Sequence, residues 1–139
     1  MSDLQDILVE VEELRVHFYL QEGIVRAVDG VSFRVYQGRT LGIIGESGSG
    51  KSVSSQAVMG ILPSPPARVI GGKVTMYLPE NGVGSRAVVL SDLPTRGNDY
   101  RAIRGKEIGM IFQEPMTSFS PVHTIGNQIM ESILLHIPN

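Results

Sequence analysis

Gly45-Glu46-Ser47-Gly48-Ser49-Gly50-Lys51-Ser52 satisfies the pattern G-x-x-x-x-G-K-[ST] at every fixed position, and its flanks decide what it means. Before it, Leu41 to Ile44 in TLGIIG is apolar throughout, as expected of a strand buried on both faces inside a parallel sheet. After it, KSVSSQAVMGIL (Lys51 to Leu62) sets Val53, Ala57, Val58 and Ile61 at helical spacing, and the prolines of PSPP are expected to end that helix. Strand, glycine loop and helix form the context in which this pattern binds phosphate. Glycines open backbone angles closed to other residues, so successive N–H groups turn inward around an anion. The start of the helix adds unpaired amides and the positive end of its dipole. Lys51 can reach β- and γ-phosphates as a point charge, and the Ser52 hydroxyl can ligate Mg²⁺. Val53 completes the candidate set, while Glu46 is read as structural, because an acid aimed at phosphate would oppose binding. A chance match arises in roughly one chain of this length in a few hundred at average composition, and the flanking strand and helix make accident rarer still.

The 139 residues suit one domain rather than two full ones. With 42% hydrophobic and 19% charged residues the chain can bury a core and is too apolar to remain disordered. Zero cysteines exclude a disulfide framework, a thiolate metal site and a cysteine nucleophile. Twelve Lys+Arg against fourteen Asp+Glu leave a formal charge of −2, which gives no basic field for nucleic acid. MSDLQDILVE lacks the basic n-region and apolar core of a signal peptide, and no apolar run approaches the ~20 residues of a membrane span. A soluble, cytoplasmic chain is expected.

Sixteen glycines and eight prolines cut the sequence into short runs. Val9 to Phe18 and Val31 to Tyr36 alternate apolar and polar residues, predicting half-buried antiparallel strands. KVTMYL and RAVVLS, joined by PENGVGS, predict a hairpin with a long tip. Arg96 to Lys106 reads as one or two helical turns, and Ile108 to Phe112 as a second buried strand in the core sheet beside Leu41 to Ile44. After the irregular QEPMTSFSPVH, Thr124 can cap a last helix whose apolar stripe is Ile125, Ile129, Met130, Ile133, Leu134 and Ile137. The fold class expected is α/β.

Three stretches together resemble the ATP-binding subunit of ABC transporters, within them the oligopeptide and dipeptide importers. They are Arg26-Ala27-Val28-Asp29-Gly30-Val31-Ser32-Phe33, the loop in the form GESGSGKSVSS, and Arg104 to Gly126, RGKEIGMIFQEPMTSFSPVHTIG. The resemblance implies a P-loop NTPase core with an N-terminal antiparallel β subdomain, ATP and Mg²⁺ as cofactors, and an ATPase that energises import of peptides or related solutes. It makes Gln113 the Q-loop glutamine, which in the family contacts Mg²⁺ and the attacking water and links the nucleotide site to the membrane subunits. From the residues alone, Gln113 is a neutral amide at the carboxyl end of an expected buried strand, suited to ligand contact or to an ordinary loop. Gln113 and Lys51 are thus the catalytic candidates, with Ser52 and Gln113 for the metal.

In the family the signature sequence LSGGQ, the Walker B aspartate with its catalytic glutamate, and the switch histidine lie beyond the Q-loop. This sequence stops at Asn139 without them, so it is expected to be the N-terminal half of a subunit, inactive by itself, with residues 1–112 as ATP-binding core and 113–139 as Q-loop and first helix of an incomplete helical subdomain. Expected partners are transmembrane permease subunits, a second ATP-binding subunit and, indirectly, a solute-binding protein, on the inner face of the cell membrane. A stand-alone module that binds ATP without turnover is the alternative. Whether peptide, nickel or glutathione is carried is not written in this chain.

ABC subunits stack adenine on an aromatic residue about two dozen positions before the loop. Tyr19 is the candidate, either as that ring or as a strand-end residue, while Phe18 is expected to face the core. Arg96, Arg101, Arg104 and Lys106 read as a solvated face. His17, His123 and His136 lack metal-ligand spacing. Met76, Met110, Met116 and Met130 read as core filling.

Overall fold

The computed structural model describes residues 6–79, 84–113 and 119–136. Met116 and Ile137, assigned above to core filling and to the last apolar stripe, lie outside these, as do most of the hairpin tip and residues 114–118. Two compact units are present, Met1–Tyr100 and Arg101–Asn139, dividing upstream of the boundary expected at 112.

The first unit is built on a four-stranded antiparallel sheet in the order β2-β1-β3-β4, with β1 Ile7–Leu20, β2 Gly23–Tyr36, β3 Ala67–Pro79 and β4 Ser85–Val89. The period-two patterns therefore became the expected antiparallel strands; β1 runs two residues beyond the alternation at each end, and β2 begins eight residues before it and ends with it at Tyr36. Strand β1 is central. Ile7, Val9 and Val11 are buried, and after a break so are Leu14 and Val16. Between Val11 and Leu14 the alternation is reset by a bulge: Val11 faces Phe33 and Leu14 faces Val31 on β2, while Glu12 faces Lys73 and Arg15 faces Gly71 on β3. Glu13 takes φ 49° there, and its N–H donates to the Ser32 Oγ at 2.8 Å. The bulge keeps Ile7, Val9, Val11, Leu14 and Val16 together on the buried face, while Leu8 is exposed. Leu14, Val11, Val16 and Leu90 are the largest fully buried side chains, each contributing about 1.5–3 kcal/mol.

Helix α1, Lys51–Met59, packs Ala57, Val58 and Met59 into this core. It ends earlier than the prolines require. Gly60 adopts φ 62°, the Gly60 and Ile61 amides donate back to Ala57 O and Gln56 O, and the left-handed turn closes the helix. The Tyr100 hydroxyl donates to Val58 O at 2.9 Å, with its ring set against Gly60.

The expected parallel strands are not formed. Leu41 to Ile44 and Ile108 to Phe112 lie outside every strand; Arg104 and Ile108 share an isolated bridge. Ile44 is 98% exposed and Ile111 94%. A parallel strand needs main-chain partners on its flanks, and the sheet among the described residues offers none to either run. The second unit carries the end of α2 (Asn98–Ile103), the turn expected between Arg96 and Lys106, and α3, Ile125–His136. Ile125, Ile129, Met130, Ile133 and Leu134 of the α3 stripe are exposed.

Candidate functional site

The phosphate loop leaves the exposed run before it and closes against β2 at one point. Gly50 takes φ 86°, and a Cβ built there would collide with the Ala27 carbonyl oxygen and touch Val28 Cγ2 at 3.3 Å. Glycine is needed at Gly50 for both reasons. Gly48, at φ 81°, meets nothing within 4 Å, so its need is conformational only. Ser49 N donates to Glu46 O at 3.2 Å, which folds the loop into a turn.

Lys51 is the first residue of α1, and its side chain arches back over the loop. Its Nζ donates to Gly45 O at 2.7 Å, Glu46 O at 2.6 Å and Ser49 Oγ at 3.2 Å. The ammonium group thus sits on oxygen acceptors at the loop's rim. Phosphate oxygens are stronger acceptors for the same donor. The first turn of α1 has no acidic residue and no side-chain cap, so the positive end of the helix is left to an anion. Ser54 binds Gly50 O twice, through its N–H at 2.8 Å and its hydroxyl at 2.9 Å. Ser52 is exposed in that first turn, and Val53 is half-buried beside it. Glu46 is exposed and contributes its main-chain oxygen to the lysine. The donor set suits a polyphosphate, and the serine hydroxyl suits a hard cation held with it.

Tyr19 stands at the end of β1 beside the β1–β2 turn, opposite Ile24, and is 43% exposed. Phe18 is half-buried, in keeping with its expected inward side. Gln113 belongs to the second unit, exposed and following the exposed Ile111 and Phe112.

Further along that unit the start of α3 is tied down more firmly than its sequence suggests. Thr124 Oγ1 accepts from the Asn127 N–H at 3.3 Å, the expected cap. Gln128 then grips the preceding turn: its Oε1 accepts from the Ser120 N–H at 2.8 Å, and its Nε2 donates to Ser120 O at 3.1 Å and His123 O at 3.0 Å. Residue-type reasoning missed Gln128 and the Ala27 carbonyl. The position of Gln128 four residues after a capping threonine was the available signal for the first.

The glycine loop closing on a sheet, the lysine over it and the uncapped helix behind it define a phosphate-loop nucleotide-binding protein. The chain belongs to the ABC transporter family, whose sequence pattern matches residues 28–136. It is similar to a probable peptide ABC transporter ATP-binding protein of Sinorhizobium fredii, 44% identical over 94% of this chain and 36% of that protein. It is similar also to two proteins of Bacillus subtilis: the dipeptide transport ATP-binding protein DppD, 46% identical over 93% of this chain and 35% of the relative, and the oligopeptide transport ATP-binding protein OppD, 43% identical over 93% and 33%. The chain therefore spans about a third of the length of these relatives. Among the described residues no helix is long and apolar enough to cross a membrane.

Proposed function

We propose that this chain supplies the ATP-binding part of the subunit that energises a peptide importer. The loop Gly45 to Ser52 holds the polyphosphate of ATP, Lys51 neutralises the β- and γ-phosphates, and the first-turn amides of α1 receive the remaining oxygens. Ser52 and Gln113 are the residues to hold Mg²⁺, which supplies charge neutralisation between phosphates when bound. Gln113 orients the attacking water, and Tyr19 offers its ring to the base. In the whole subunit, ATP hydrolysis drives transport through permease subunits and a second ATP-binding subunit, served by a solute-binding protein, at the inner face of the membrane.

One observation carries this reading above the others: the Lys51 ammonium is poised on two main-chain carbonyls at the rim of a glycine loop that opens onto an uncapped helix start. The names of the relatives, transport ATP-binding proteins for peptides and dipeptides, support the transport assignment. Titration of the chain with MgATP tests it. Lys51→Ala removes a charge-assisted donor and is expected to weaken binding by roughly ten- to a hundredfold, about 1.5–3 kcal/mol. Equal affinity in variant and parent, with both folded by circular dichroism, would refute the assignment.

A further inference from the structure

Arg68 lies with its guanidinium carbon 5.2 Å from the centroid of the Tyr19 ring. The contact is set by strand register rather than by side-chain chance: His17 faces Arg68, Phe18 faces Ala67, and the Tyr19 N–H donates to Pro66 O at 3.0 Å. A planar cation over a ring prefers its face. One face of Tyr19 is thereby covered while the residue remains 43% exposed.

The same sheet relates this ring to the phosphate loop. Gly50 abuts Ala27 of β2, and Tyr19 pairs with Ile24, three residues further along that strand. At the usual rise per residue this is about 10 Å along the strand, a distance that a ribose and its first phosphate can bridge. An exposed aromatic ring thus stands at the loop's end of the sheet, with one face occupied by a cation from the neighbouring strand.

We propose that Arg68 is a positioning residue for the nucleotide base: it holds the Tyr19 ring in one rotamer and covers one face, so that the purine stacks on the other. The inference rests on the nucleotide-binding reading above and adds to it a residue that touches no phosphate. Two physical effects act together. Fixing the ring in the free chain spares the base the cost of ordering it. The cation also draws ring electron density toward itself, which makes the opposite face a better partner for the purine π-system.

Arg68 could instead act as a general positive charge, attracting any polyphosphate. Two ligands separate these effects. MgATP and magnesium tripolyphosphate are titrated into the parent chain, Arg68→Gln, Tyr19→Leu and the double variant. Expected is an ATP affinity lowered about two- to fivefold in Arg68→Gln, the range for an exposed cation–π contact, with tripolyphosphate unchanged. In the Tyr19→Leu background, the Arg68 substitution is expected to have no additional effect. Arg68→Lys keeps the charge without the plane and should fall between parent and Arg68→Gln, and it replaces the glutamine variant if that one is poorly folded.

Parent-level ATP affinity in the Arg68 variant, equal losses for the two ligands, or additive losses in the double variant would overturn the proposal. Unchanged ATP binding in Tyr19→Leu would overturn it together with the base-stacking assignment, leaving the loop intact. Unchanged tripolyphosphate binding in Lys51→Ala would bring down the nucleotide site as a whole.

Discussion

Gly72 on β3 lies where the bulge of β1 presses hardest. Its φ is +93°, and an added Cβ would meet Leu14 Cα at 2.5 Å, Glu13 O at 2.6 Å and Glu12 O at 2.7 Å, all main-chain atoms that cannot swing aside. Gly38 has φ +66° with open space around it. The pair separates two penalties that glycine substitutions usually mix. Gly38→Ala is expected to lower stability by about 1–2 kcal/mol, the cost of a left-handed alanine. Gly72→Ala should exceed that clearly, because collision adds to conformation. Urea midpoints of the two variants check this, and equal losses would mean that the β1–β3 contact yields at little cost.

At the scale of elements, α3 shows how a helix start is assembled from parts that sequence reading only half reveals. Thr124 as cap was legible, because the threonine precedes an apolar stripe. Asn127, three residues on, is a poor reciprocal partner for the Thr124 backbone, which from sequence points to a weak start. Gln128 supplies the missing grip from one position further, by holding the turn rather than the cap residue's own amide. Gln128→Ala is expected to speed hydrogen exchange of the Ser120 amide roughly two- to tenfold, the worth of one net hydrogen bond. Gln128→Glu keeps an acceptor for that amide but cannot donate to Ser120 O or His123 O, so it should protect Ser120 while loosening the turn. Unchanged Ser120 exchange in Gln128→Ala would show that the side chain binds elsewhere in solution.

Across the whole molecule, the antiparallel hairpins were readable because alternation is written locally along Val9 to Phe18 and Val31 to Tyr36. Pairing for Leu41 to Ile44 and Ile108 to Phe112 depends on neighbours far away in sequence, and an apolar run cannot announce whether they are there. The loop was legible for the opposite reason, since its glycines and lysine carry their geometry in eight consecutive residues. The sheet is also tied across three strands by one carboxylate. Glu10 on β1 accepts from the directly paired Arg34 of β2 at 2.6 Å and from the Tyr77 hydroxyl of β3 at 3.2 Å. The Arg34 hydrogen bond, opposed in part by burial and aided by the Arg34 charge and by Tyr77, holds the Glu10 carboxyl below its ordinary value of 4.5. A depressed carboxyl stabilises the fold fully above its unfolded value, and that contribution fades as pH falls through the folded one. Burial pushes the Tyr77 phenol up, so it keeps its proton through the neutral range. Stability of the parent should therefore drop more steeply below pH 4.5 than that of Glu10→Gln, as read from urea midpoints at pH 3 to 6, about the ordinary carboxylate range. Parallel curves would show that the three-strand tie does not form in solution.

The bulge in β1 has a consequence for how this strand tolerates editing. Glu12 and Glu13 together stand opposite the single residue Ser32 on β2, and β2 returns the extra residue one step later at Gly30, between Val31 and Asp29. Removing Glu13 would turn Val11, Leu14 and Val16 into an unbroken alternation with the same side chains inward, whereas removing Glu10 would send Ile7 and Val9 outward. Deletion of Glu13 should leave a cooperatively melting protein, and deletion of Glu10 should not. A central strand is ordinarily the last place where a length change survives; here the frame of the core contains a slot for one.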